Sequence, residues 1–398
     1  MKVAVAKERQ TGEARVAATP DSVKKMVSLG MSVVVESGAG SGASLNDTAY
    51  KEAGAEIAKS GKTLLSDADV VLRVARPEAD EVSACPKGTL LIGQMSPYQD
   101  QPELEKLIDQ GLTVFSLEFL PRISRAQAMD TLSSQANLAG YKAVIDAAAE
   151  YGRALPMMMT AAGRINPAKV LIMGAGVAGL QAIATARRLG GRVYATDVRP
   201  AAKEQVESLG AEFVAVEDEE FRAAETAGGY AKEMSDSYKK KQAELIAETI
   251  ADMDLVITTA QIPGRPAPRL IDEAMVKSMR PGSIIFDLAA EGGGNCALTQ
   301  PGKLATKHGI KIMGYLNVPS RLAADASMLY ANNLFNFLSL LYDKESKALK
   351  IDWDDEIVKG TLLGRDGKAV HSALTGKATE PDQAADSKQT SEEGKANG

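Results

Sequence analysis

Apolar and polar positions fall into two alternating kinds of block along this chain. Apolar, β-branched runs of four or five residues recur, separated by longer stretches with helical spacing. In the first third the runs are Val3–Ala6, Ser32–Glu36, Val70–Val74, Leu90–Gly93 and Thr113–Leu117, with helical stretches at Asp21–Leu29, Asp47–Ala58 and Gln101–Gln110. A second series reads Val170–Met173, Val193–Thr196, Phe213–Val216, Leu255–Thr258, Ile284–Leu288 and Ile310–Gly314. Strands that alternate with helices predict parallel sheets covered on both faces. About six strands in the second series is the count of a complete dinucleotide-binding sheet.

Two longer helical segments join the series. Ser124–Arg153 has no proline and good helix formers, and reads as one helix leading from the first series into the second. Ser320–Tyr342 follows the last strand of the second series. The predicted class is α/β, with two Rossmann-like, doubly wound parallel-sheet domains linked by long helices. The second domain (141–317) is inserted in a discontinuous first domain (1–140 and 318–365). The stretch 372–398 is rich in Lys, Glu, Gln, Ser, Ala and Gly, and is predicted to be disordered.

The strongest chemical signal is KVLIMGAGVAGLQAIATARRLGGRVYATD, Lys169 to Asp197. An apolar run ends at Gly174, Gly176 and Gly179 complete G-x-G-x-x-G, and Val177, Leu180, Ile183 and Ala184 continue at helical spacing. A second β-rich run ends in Asp197, 18 positions after Gly179. Gly174 suits a tight turn, Gly176 lets backbone approach a pyrophosphate, and Gly179 lets helix and strand pack closely. Asp197 stands where a carboxylate meets the adenosine ribose, which favours NAD(H) over NADP(H); Arg199 softens that preference. The bland alternative is a glycine turn in an ordinary βαβ unit. A second glycine cluster, Gly38, Gly40 and Gly42, has neither a helix directly after it nor an acid at the end of the next strand, and reads as a structural loop.

Composition narrows the function. The chain has 398 residues, a formal net charge of −6 and no basic patch with interleaved aromatics, which argues against nucleic acid as a partner. Cys85 and Cys296 match no disulfide or metal pattern, and His308 and His371 are too few and too far apart for a histidine metal site, so no metal is expected. Met1 leads straight into Lys2–Ala6, without the pattern of a signal peptide. The apolar stretch Leu334–Tyr342 is broken by Asn336 and Ser339, and falls far short of the roughly 20 residues that span a bilayer.

Between Val216 and Leu255 the connection far exceeds the roughly 12 residues a crossover needs. Two readings stand. Gly228 and Gly229 are a hinge and Tyr230 a lid over bound nucleotide, or the segment is a solvated insertion with a helix from Lys232 to Ala251.

Several segments together resemble the NAD(H)-binding components of proton-translocating nicotinamide nucleotide transhydrogenases, in their separate-chain form. They are KERQTGEARVAATP (Lys7–Pro20), PRISRAQAMDTLSSQANLAGY (Pro121–Tyr141), the glycine motif, ETAGGYAKEM (Glu225–Met234), GGNC (Gly293–Cys296) and NVPSRLAADAS (Asn317–Ser327). The similarity runs from Met1 to about Thr375, and a more distant one extends to alanine dehydrogenase. The resemblance places nicotinamide-side contacts on Arg122, Ile123, Ser124, Gln127, Ala128, Met129, Asp130 and Ser133. It places the phosphate turn on Gly174, Gly176, Val177 and Gly179, and the ribose contact on Asp197, Val198 and Arg199. Gly229 and Tyr230 match a mobile loop, and Gln242 and Gln261 fall at further contact positions; Gln261 stands where an apolar residue is expected. The resemblance implies NAD(H) on this chain and NADP(H) on a partner chain. It also implies membrane-spanning partner subunits, a homodimer, and a cytoplasmic location, peripheral on the inner face of the plasma membrane.

The residues themselves add an argument from chemistry. Gln127, Asp130 and Ser133 are spaced by three, which puts them on one helix face, and Arg122 begins the same segment; the alternative is a capped helix start with a surface hydrogen-bond network. An amino-acid dehydrogenase moves a proton as well as a hydride and needs a titratable group beside the nicotinamide. The histidine and lysine of the alanine dehydrogenase pattern fall near Ser96 and Ala75 here, and both are gone; His308 and His371 read as surface residues. Hydride transfer between two nicotinamides needs no such group, and Gln127, Arg122 and Asp130 are its candidate catalytic residues. Three readings compete: the transhydrogenase component, which is preferred, an alanine-dehydrogenase-like oxidoreductase, and a non-enzymatic NAD-sensing module.

Overall fold

The computed structural model of the protein describes residues 1–223 and 234–376. Two sheets carry the fold. An eight-stranded sheet runs in the order Lys368–Ala369, Leu362–Arg365, Thr113–Ser116, Leu90–Gly93, Val70–Leu72, Lys2–Val5, Ser32–Glu36, Glu56–Ala58. A seven-stranded sheet runs Glu212–Phe213, Arg192–Thr196, Lys169–Met173, Leu255–Thr258, Ile284–Asp287, Ile310–Met313, Leu304–Lys307. Within each, the parallel strands reverse their order beside the first strand, the doubly wound arrangement expected from the alternating pattern. The inner strands are continuous apolar runs because helices cover both faces: Val70–Leu72, Leu255–Thr258 and Ile284–Asp287 are buried throughout.

Chain from beyond the second sheet returns to the first. Leu362–Arg365 pairs antiparallel with Thr113–Ser116, and Tyr330, Leu334 and Phe337 of helix Ala323–Leu340 pack into the core of the first sheet. Helix Thr131–Glu150 belongs to the other core, where Ala143, Val144 and Ala147 pack against Ala182, Ile183 and Ala186 of helix Val177–Arg188. The cleft between the sheets opens at the start of both helices.

Several elements differ from the sequence expectation. The segment Ser124–Arg153 is not one helix. A 3-10 helix, Ser124–Met129, precedes helix Thr131–Glu150, and Asp130 breaks them apart with extended backbone at ψ 94°. The cause is capping: the Asp130 carboxylate accepts the Ser133 amide at 2.9 Å and the Ser133 hydroxyl at 2.5 Å, a bond to the third residue on that starts a helix rather than continuing one. Helix Asp47–Glu52 stops early, before Gly54, and Glu56–Ala58 is an edge strand rather than helix. The second sheet gains an antiparallel edge, Leu304–Lys307, and the expected strand at Phe213–Val216 shortens to Glu212–Phe213. A 3-10 turn, Val318–Leu322, precedes helix Ala323–Leu340. A two-stranded hairpin, Met158–Thr160 with Gly163–Ile165, has no counterpart in the sequence expectation. Helix Asp236–Ile250 begins later than expected, capped by Ser235. Ser372–Thr375 forms a helical turn capped by His371, where composition predicts no structure; residues 377–398 lie outside those described.

Candidate functional site

Strand Lys169–Met173 leads into the glycine motif at the point where the second sheet reverses its order. Gly174 takes φ +106° and donates its amide to the Thr196 carbonyl at 2.8 Å, turning the chain across the neighbouring strand end. A Cβ on Gly179 would lie 1.8 Å from the Gly174 carbonyl oxygen, so a side chain there would push the helix off the turn. Gly176 starts helix Val177–Arg188 without a side-chain cap, no acidic residue occupies the first turn, and a Cβ on Gly176 would meet nothing within 4 Å. Uncapped amides, the positive end of the helix and open space are what a pyrophosphate requires. These residues fit a dinucleotide.

Asp197, at the end of the adjacent strand, holds the turn. Its carboxylate accepts the Ala175 amide at 2.7 Å and the Arg199 amide at 2.9 Å, and Arg199 adds Nε at 2.9 Å and Nη2 at 3.1 Å. Burial pushes the Asp197 carboxyl up, but the Arg199 guanidinium and the two amides outweigh it and hold it below its ordinary value. Asp197 thus has a scaffolding task that the ribose reading alone did not include. Val198 beside it is exposed. Gln242 reaches the same strand ends: its Nε2 donates to Thr196 Oγ1 at 3.2 Å, and its Oε1 accepts the Val216 amide at 2.8 Å.

A cleft of about 470 Å³ separates the two sheets. Arg122 and Ser133 line it from one side and Gly176, Val177 and Gln261 from the other. Gln261 is exposed and donates to the Leu288 carbonyl at 3.0 Å. Of the remaining nicotinamide-side candidates, Ser124, Gln127 and Ala128 are exposed on the 3-10 turn beside the cleft, Ile123 is half-buried against the first core, and Met129 is buried. Among the described residues, the side chains of Arg122 and Gln127 have no hydrogen-bond partner, whereas Asp130 and Ser133 hold each other. Gln127, Asp130 and Ser133 therefore do not share one helix face as their spacing suggests, because Asp130 is the break between two helices; of the three, Ser133 lines the cleft, while Gln127 and Asp130 lie on the segment between it and the cleft-lining Arg122. Gly229 and Tyr230 lie outside the described residues.

The cleft also holds a cluster that residue-level reading did not assign. Arg15 binds Glu13 through Nε at 2.8 Å and Nη2 at 2.7 Å, Gln135 through Nη1 at 2.9 Å and Asn317 through Nη2 at 3.1 Å. Gln135 and Asn317 are far from Arg15 in sequence, so only the fold reveals the cluster; its sole sequence signal was the charged pair inside KERQTGEARVAATP. His308 is exposed beside Glu273 at 3.0 Å. His371, read as a surface residue, is half-buried and stacks on Phe119 with ring centroids 4.2 Å apart. No histidine or lysine lines the cleft among the described residues. Ser96, at the position of the alanine dehydrogenase histidine, donates its amide to Glu118 at 2.8 Å.

Comparison with known proteins covers nearly the whole chain. Residues 4–139 match the family described as alanine dehydrogenase/PNT, N-terminal domain, and residues 143–372 its C-terminal domain. The chain is 56% identical over 381 residues to a separate-chain NAD(P) transhydrogenase subunit alpha of Rhodospirillum rubrum, covering 94% of this chain and 99% of that protein. Its fold matches the crystal structure of transhydrogenase from Sinorhizobium meliloti with a TM-score of 0.85 at 53% identity, covering 93% of this chain and 100% of that one. An L-alanine dehydrogenase structure matches with a TM-score of 0.79 at 26% identity, covering 94% and 98%. The chain therefore belongs to the alanine dehydrogenase/PNT family, among its NAD(P) transhydrogenase alpha subunits.

Proposed function

We propose that this transhydrogenase component binds NAD(H) and presents its nicotinamide to NADP(H) held by a partner chain, for direct hydride transfer coupled to proton movement in membrane-spanning partner subunits. One observation carries the reading. An uncapped, phosphate-ready helix start opens into a cleft lined by Arg122, whose guanidinium is uncommitted among the described residues, and by no histidine or lysine among those residues; Gln127, exposed and likewise uncommitted, stands on the turn between the cleft-lining Arg122 and Ser133. Such a site can bind and orient a dinucleotide, but it lacks the usual proton acceptor that oxidation of an amino acid demands. Transfer between two nicotinamides exchanges no net proton at carbon, and it asks of the protein only alignment at about 3–3.5 Å and exclusion of water. NADH gives its hydride to NADP+ and leaves as NAD+. Gln127 orients the carboxamide, while Arg122 and the Asp130–Ser133 pair shape the surroundings of the ring.

Among the described residues no helix is long and apolar enough to cross a membrane, so the reading assigns the proton path to partner subunits and places this chain on the cytoplasmic face. It also includes a second copy of this chain. The hairpin Met158–Ile165 exposes Met158, Met159 and Ile165, with Met157 just before it, and Met159 is 73% exposed. An apolar arm of this kind is suited to burial against another copy.

The test is an assay of hydride transfer from NADH to an NADP+ analogue, with and without the NADP(H)-binding component, beside oxidation of L-alanine. Transfer only with the component, and no alanine oxidation, is the expected result; alanine oxidation by this chain alone would overturn the reading. Met159→Asp should turn a dimer into a monomer by light scattering, and an unchanged mass would remove the hairpin from the interface.

A further inference from the structure

The turn that carries Gln127 is a six-residue 3-10 helix with no side-chain cap at its start. Helices of this kind hold poorly on their own, because their hydrogen-bond geometry is worse than that of an α-helix. Burial of Ala126 and Met129 anchors one side of the turn to the core but leaves its tilt to other contacts. Those contacts come from the far end of the chain. Asn333 Nδ2 donates to the Ala128 carbonyl at 2.9 Å, and Asn336 Nδ2 donates to the same oxygen at 3.0 Å. The two asparagines are three apart on helix Ala323–Leu340, so their amides converge from one face. A carbonyl oxygen has two lone pairs, and both are engaged. Asn333 also accepts the Ser134 hydroxyl at 2.8 Å, tying the turn to the helix that Asp130 caps. On the other flank Arg125 makes bonds of 2.7 and 3.1 Å to Asp355 and one of 3.1 Å to Glu356.

We propose that Asn333 and Asn336 are positioning residues for hydride transfer: their paired amides on the Ala128 carbonyl fix the turn so that Gln127, one residue before it, meets the nicotinamide at a set angle. The proposal rests on the transhydrogenase reading above. Neither asparagine lines the cleft, and the side-chain amides of both are spent on the Ala128 carbonyl, so they act through the turn. Asn336 is the cleaner probe, since it is half-buried and among the described residues its side chain makes this hydrogen bond alone. Asn336→Asp keeps the shape but turns a donor into an acceptor that faces a carbonyl, which releases the turn.

The experiment compares wild type, Asn336→Asp, Gln127→Asn and the double variant in the NADH-to-NADP+-analogue assay with the NADP(H)-binding component present. NADH titration and thermal melting are run on the same samples. Asn336→Asp should transfer about tenfold more slowly, the scale of loss that a small misplacement of reacting groups produces. Its NADH Kd should stay within about twofold, a rate defect without a binding defect. In the double variant the two losses should be clearly less than multiplicative, because both act through the placement of one side chain. A wild type that transfers while Asn336→Asp matches it in rate would overturn the clamp and leave the functional reading intact. So would rate, affinity and melting temperature falling together, or losses that multiply in full, each of which marks a merely structural staple. A wild type that does not transfer overturns the functional reading, and the positioning role with it.

Discussion

A Cβ on Gly140 would lie 2.0 Å from the carbonyl oxygen of Ala178. Helix Thr131–Glu150 and the glycine-motif helix Val177–Arg188 thus touch backbone to backbone, directly behind the cleft. No side chain fits between them. Gly140→Val should force the helices apart and destabilise the protein by about 1–3 kcal/mol, the usual cost of overpacking a filled interface. Because the contact falls on Ala178, inside the phosphate turn between Gly176 and Gly179, NADH affinity should fall as well. Chemical denaturation and NADH titration check both; unchanged stability would mean that the helices part without cost.

Asp197 ties together the glycine turn and Arg199, so its two roles call for different substitutions. Asp197→Ala removes the acceptor for the Ala175 amide along with the ribose partner, and should weaken NADH by about 1–3 kcal/mol. Asp197→Asn keeps an acceptor for Ala175 and loses the charge, so it should mainly shrink the preference for NADH over NADPH. Fluorescence titration with both nucleotides measures this. Equal affinity of the wild type for both would refute the assignment of Asp197 to the ribose.

Gln127→Asn should cut hydride transfer far more than NADH affinity, since a shorter side chain mis-sets the ring while the phosphate contacts stay in place. A variant with normal rate and poor binding would make Gln127 a binding residue alone.

The class of fold was legible because buried parallel strands are written as unbroken apolar runs, and Val70–Leu72 and Leu255–Thr258 read plainly. The phosphate turn was legible because its geometry needs glycine at Gly174 and Gly179. What escaped reading depends on partners distant in sequence or on weak local signals. The helix break at Asp130 was hidden by the absence of proline, although an aspartate three before a serine is itself a cap signal. Glu56–Ala58 and Leu304–Lys307 are edge strands whose exposed residues carry no apolar run. The Ala128 carbonyl could not be foreseen as a junction, because its donors stand more than 200 positions away.

The Arg15–Glu13 pair is the most deeply committed charge pair bordering the cleft. Both side chains are almost fully buried, and the pair joins the N-terminal segment to Gln135 of the interdomain helix and to Asn317 of the returning chain. Burial drives the Glu13 carboxyl up, but the bonds from Arg15 and Asn317 outweigh it and leave it below its ordinary value. A carboxylate depressed in the fold contributes stability above its unfolded pKa and loses that contribution as pH falls through the folded value. The pair should therefore stabilise the protein fully at neutral pH and fade in acid, below about pH 4. Arg15→Ala would leave Glu13 buried without its cation and should cost about 3–5 kcal/mol at neutral pH. The double change Arg15→Met with Glu13→Gln leaves no buried charge and should cost much less. Denaturant melts of the three proteins across pH 3–7 test the account. The gap between Arg15→Ala and wild type should narrow as Glu13 takes up a proton; a gap independent of pH would show that Arg15 acts through packing rather than through charge.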